Sequence, residues 1–142
     1  MSQDAKQNIA VGIIVVAHTD YASALLRTAE FILGSLGDCT SISVDVAFAV
    51  SETVQRLNDA AQLLDKGAGV LILTDMFGGT PSNLAISCMS RPKVEVLAGI
   101  NLPMLVKLAK VREERSLPDA IAMAQEAGRK YVPIASRVLA GK

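Results

Sequence analysis

The 142-residue chain is 51% hydrophobic and only 4% aromatic, with 14 basic and 14 acidic side chains, one histidine and two cysteines. That length closes one core, and an aliphatic core suits a buried parallel sheet better than a sandwich or a disordered chain. Zero formal charge argues against a nucleic-acid binder, which needs surplus Lys and Arg, and no apolar run approaches the ~20 residues that span a bilayer.

The start, MSQDAKQ, has no charged-then-apolar signal pattern. Cys39 and Cys88 form no CxxC and have no histidine cluster nearby. A soluble, cytoplasmic chain with two inert, reduced thiols is expected.

Ile9 to Ala17 is almost wholly apolar and rich in β-branched residues, the pattern of a strand covered on both faces. It ends at His18-Thr19-Asp20, where Thr19 or Asp20 caps a helix. That helix carries Tyr21, Leu25, Ala29, Ile32, Leu33 and Leu36 near the 3.6-residue period, and stops at Gly34 or Gly37. Ser41 to Val46 alternates like a strand with one wetter face, near an edge. Ser51 caps a second helix with Glu52 in its first turn, and Lys66-Gly67 closes it.

The run Val70 to Thr74 is a third strand, ending at Asp75. The double glycine Gly78-Gly79 follows, then a helix capped by Thr80 with Pro81 at its first position. Lys93 to Ala98 reads as a fourth strand, and Pro103 opens another helix. Ser116 with Asp119 resembles a capping box, and its helix runs to about Gly128. Tyr131 to Leu139 reads as a final strand. Pro133 removes a ladder donor, which places it at an edge or in an exchanged position.

The alternation βαβαβαβ predicts a doubly wound α/β fold: a mainly parallel sheet with helices on both faces. No repeat, low-complexity run or linker appears, so residues 1–142 are expected to form one domain. Right-handed crossovers put His18 and Asp75 on the same edge of the sheet, where open α/β sheets bind ligands. If their strands are neighbours, Asp75 holds one ring nitrogen of His18 and leaves the other free as a nucleophile. Gly78-Gly79, the hydroxyl of Thr80 and the helix start then form an anion cradle.

Each feature has a plainer reading. A lone histidine in an apolar setting is a satisfied core residue, although the position between a buried strand and a helix cap favours function. Asp75 also suits a turn cap, and Gly-Gly also suits a crowded turn. Nucleotide motifs are absent, one histidine and two scattered cysteines make no zinc site, and no GxSxG elbow occurs, so neither metal nor cofactor is expected.

VVAHTDYASALL, VLILTDMFGGTPSN and VLAGINLPML, in that order, resemble the enzyme IIA component of mannose-type sugar phosphotransferase systems. The resemblance covers nearly the whole chain. It implies a four-stranded parallel sheet plus a C-terminal antiparallel strand exchanged between the subunits of a homodimer. It also implies that His18 accepts phosphate from the histidine phosphocarrier protein and passes it to an enzyme IIB. Asp75 then matches the orienting aspartate, and Thr80 a hydroxyl near the phosphate. One departure is Thr19, where the family often has glycine; the change narrows the loop or adds a hydroxyl. The end at Lys142 implies a free-standing IIA.

Three functions are carried forward. The first is a phosphocarrier using His18, Asp75, Gly78, Gly79 and Thr80. The second is a regulatory module whose phosphorylation state is read by other proteins without sugar transport. The third is a hydrolase or transferase acting alone on a small phosphorylated substrate.

Overall fold

The structure, a computed structural model, describes residues 9–45 and 49–141. Four strands, β1 (Gly12–His18), β2 (Cys39–Val44), β3 (Val70–Thr74) and β4 (Val94–Ala98), form one sheet in the order β2-β1-β3-β4. All three pairings are parallel. Val46, the last residue of the expected second strand, lies outside the described residues.

Strands buried on both faces need no polar alternation, and β1 and β3 have none. Every residue of β3 is buried, as are the first six of β1. Their pleat divides the core. Val11, Ile13, Val15, Ala17, Leu71 and Leu73 pack against α1 (Tyr21–Leu33), α4 (Leu102–Val111) and α5 (Leu117–Lys130). Ile14, Val16, Val70 and Ile72 pack against α2 (Val50–Leu64) and α3 (Thr80–Ile86), the latter followed by a 3-10 turn at Ser87–Ser90. The edge strand β2 buries only Ile42, matching its alternating sequence.

The helix ends follow local chemistry, with some corrections. α1 stops at Gly34, whose φ of 90° suits glycine. Leu36 lies beyond the helix yet packs against the core. Ser51 does not cap α2; the helix starts at Val50, with Ala49 as its cap residue. Thr80 is likewise the first residue of α3 and not its cap, a place taken by Gly79. Asn101 caps α4 by accepting from Met104 N–H at 3.0 Å, and its amide donates to Gly128 C=O in α5 at 2.9 Å. Ser116 caps α5 as expected.

Tyr131 to Leu139 is not a strand here. Ala135–Leu139 forms a short helix, α6, and residues 131–134 take no regular structure. Within this chain the segment pairs with neither edge of the sheet, so its backbone groups find partners locally in a helical turn. All nine residues are exposed, Leu139 by 88%.

Candidate functional site

β2 and β3 flank β1 on opposite sides, so the strand order reverses between β1 and β3. Ligands enter open α/β sheets at such a switch, beyond the carboxyl ends of the strands. The register Val16 to Thr74 carries the two strands to that edge side by side. His18 closes β1 there, and Asp75 follows directly after β3.

The two residues meet. Asp75 Oδ2 accepts the His18 backbone N–H at 3.0 Å and lies 2.7 Å from His18 Nδ1. Asp75 Oδ1 accepts Met76 N–H at 2.9 Å. A carboxylate accepts only, so Nδ1 carries a proton, and in the neutral ring Nε2 keeps the lone pair. The His18 side chain is 47% exposed and that of Asp75 only 15%. Burial alone would raise the Asp75 carboxyl. The His18 N–H, the His18 ring and the Met76 N–H outweigh it and hold the group below the usual carboxylate value.

The glycine turn lies against this pair. Gly78 has φ 90°, the left-handed region that favours glycine. Gly79 donates its N–H to Met76 C=O at 3.2 Å and accepts Asn83 N–H at 3.0 Å, so its own amide does not face outward as an anion donor. Thr80 is exposed at the start of α3. The structure therefore brings His18 and Asp75 into direct contact and sets Gly79 beside the His18 ring, with Gly78 and Thr80 on either side of Gly79 in the same turn.

Three neighbours had no chemical signal in the sequence. Tyr21, half-exposed at the start of α1, donates its hydroxyl to Ile100 C=O at 3.1 Å and ties that helix to the β4–α4 connection. Met76 and Phe77 follow Asp75 with 63% and 76% exposure, an apolar rim where a loop is usually polar. The thiols are inert, as expected: burial pushes Cys39 up to about 11 and raises Cys88 as well.

Thr19 has φ 53°, a left-handed conformation unfavourable for a β-branched residue, and its N–H donates to Val44 C=O at 3.2 Å. Thr19→Gly is therefore expected to raise unfolding free energy by about 0.5–1 kcal/mol, the left-handed strain less the added entropy of the unfolded glycine. Urea denaturation of both proteins checks this.

Fold and site together define an open, doubly wound α/β protein with a carboxylate-oriented histidine at its strand switch. Comparison narrows the class. A family profile described as "PTS system fructose IIA component" matches residues 12–125. The chain is 33% identical over 124 residues to the "PTS system mannose-specific EIIAB component" of Escherichia coli (strain K12), covering 86% of this chain and 38% of that protein. It thus spans little more than a third of that relative. The mannose/sorbose specific IIA subunit of the phosphotransferase system from Enterococcus faecalis superposes with a TM-score of 0.76 at 30% identity, over 88% of this chain and 94% of that one. The phosphotransferase system component EIIA from Streptococcus agalactiae shares the fold, with a TM-score of 0.81, 23% identity and coverages of 89% and 98%. The chain belongs to the mannose- and fructose-type IIA family of sugar phosphotransferase-system components. Among the described residues, no helix is long and apolar enough to cross a membrane.

Proposed function

We propose that the chain is a phosphocarrier of a phosphoenolpyruvate-dependent sugar phosphotransferase system. His18 takes a phosphoryl group from the histidine phosphocarrier protein and hands it to an enzyme IIB. The observation that carries this reading is the 2.7 Å contact between His18 Nδ1 and Asp75 Oδ2 at the strand switch. It presents Nε2 as a neutral nucleophile on a half-exposed ring.

The Nε2 lone pair forms a bond to phosphorus as the N–P bond of the donor phosphohistidine breaks. The bonding pair leaves with the donor ring, which departs as neutral imidazole. His18 keeps its Nδ1 proton, so the phosphorylated ring becomes cationic, and Asp75 offsets that charge. Gly78 and Thr80 supply neutral donors for the phosphoryl oxygens. The apolar rim of Met76 and Phe77 suits a protein partner more than a small polar substrate, and favours transfer between proteins over hydrolysis.

A homodimer belongs to the same proposal. Val132, Ile134, Val138 and Leu139 are all more than half exposed in the single chain. Pairing of this segment as an exchanged antiparallel strand in a second subunit would bury them.

The test incubates the protein with phosphoenolpyruvate, enzyme I and the histidine phosphocarrier protein. The expected result is an acid-labile phosphoprotein that passes its label to an enzyme IIB and is absent from His18→Ala. No label on the wild-type protein would end the proposal, and turnover of a small phosphorylated substrate without protein partners would replace it.

A further inference from the structure

The two adjacent glycines exist for different reasons. Gly78 needs its φ of 90°, and a Cβ there would meet nothing within 4 Å. Gly79 has φ −78° and ψ 169°, extended backbone open to any L-residue. Conformation does not explain a glycine at 79, and the His18 ring does. A Cβ on Gly79 would lie 3.2 Å from His18 Cε1, 3.8 Å from His18 Nε2 and 3.4 Å from Met76 C=O. Carbon atoms in comfortable contact are about 3.5–4.0 Å apart.

Both sides of that approach are tethered. Gly79 is held by its N–H on Met76 C=O and by Asn83 N–H on its own C=O. The ring is held by Asp75. We propose that Gly79 is a positioning residue for His18: its bare Cα forms the wall that sets the plane of the imidazole. It also keeps the space beside Nε2 open for a tetrahedral phosphoryl group. A methyl at 79 pushes on Cε1, the atom between the two nitrogens, so it turns Nδ1 off Asp75 and crowds Nε2 in one movement. The part concerning the phosphoryl group rests on the phosphocarrier reading; the part concerning the ring does not.

Gly79→Ala is the test, with the wild type beside it. Nitrogen-15 NMR of the His18 imidazole is expected to show a single Nδ1–H tautomer in the wild type and its loss in Gly79→Ala. Phosphoryl transfer from the phosphocarrier protein should fall about 10- to 100-fold in its maximal rate, the loss expected of misplacing a reacting atom, with half-saturation by the donor unchanged. An unchanged imidazole spectrum in Gly79→Ala overturns the proposal. If the wild type takes no phosphate, the phosphocarrier reading fails, and the spectrum still judges the role of Gly79 toward the ring. Should Gly79→Ala not fold, the double variant Gly79→Ala/His18→Ala decides. Recovery of folding when the ring is removed supports the collision, and failure of both overturns it.

Discussion

Replacing Asp75 with asparagine is expected to slow phosphorylation of His18 by up to about 10⁴-fold, the loss that follows when the aspartate orienting a catalytic histidine becomes asparagine. The carboxylate meets three N–H donors: the His18 backbone, His18 Nδ1 and the Met76 backbone. Asparagine offers one oxygen and one NH₂ in the same volume. With its oxygen toward Met76, the NH₂ faces the His18 N–H and forces Nδ1 to accept, which moves the ring proton to Nε2 and removes the nucleophile. With its oxygen toward His18, the NH₂ opposes the Met76 N–H and distorts the turn that leads to Gly78. In both orientations a donor meets a donor, and the negative charge that offsets a phosphorylated imidazole is gone. Single-turnover transfer from the labelled phosphocarrier protein measures the effect; a rate within a few-fold of wild type would remove Asp75 from the mechanism.

The same carboxylate shapes the response to acid. Its native value lies below its unfolded one, so the folded state binds the proton less readily than the unfolded state. The stability it contributes is fully present above the ordinary carboxylate range, about pH 4, and is lost as pH falls through the lowered native value. In Asp75→Asn that part of the acid-side decline should disappear. Urea denaturation as a function of pH reads the difference.

How far the sequence reached depends on the range of the interactions involved. β1 and β3 were legible because burial on both faces leaves an uninterrupted apolar run, a local property. That they lie side by side was not, because pairing order is decided by crossovers and helix packing across the whole chain. His18 and Asp75 could be assigned to one edge; their contact required the register from Gly12–Val70 to Val16–Thr74. Tyr131 to Leu139 takes no strand within the single chain because alternate apolar residues show capacity for pairing, while a strand also needs a neighbour with free backbone groups. The unlike roles of Gly78 and Gly79 were hidden too. One glycine answers to its own dihedral angles and the other to a ring 61 positions earlier in the chain.

Arg112 was equally invisible: nothing in its neighbourhood separates it from Arg115, three residues on, which is exposed. Yet Arg112 is only 5% exposed, and no carboxylate pairs with it among the described residues. Its Nη1 donates to Val11 C=O at 3.5 Å, Asp38 C=O at 3.4 Å and Cys39 Sγ at 3.3 Å, and its Nη2 donates to Gly37 C=O. Its backbone C=O accepts Val11 N–H at 3.1 Å. The side chain thus fastens the end of α4 to the starts of β1 and β2, at the edge of the sheet opposite His18. Arg112→Met keeps the apolar stem and takes the guanidinium from three carbonyls, of which Asp38 C=O keeps the Ile13 N–H at 3.0 Å and exposed Gly37 turns to water, so Val11 C=O alone is left buried without its donor. At about 1–3 kcal/mol for a buried group left unpaired, the loss is expected to be about 1–3 kcal/mol. Arg112→Lys should recover little, because a single ammonium cannot reproduce the guanidinium fork that reaches both β-strand starts. Since the damage falls on the far edge of the sheet, phosphoryl transfer per folded molecule should stay near wild type. Thermal and urea unfolding, set beside single-turnover rates below the melting transition, separate the two effects; a loss of transfer with stability intact would mean that Arg112 serves the His18 site and not the frame.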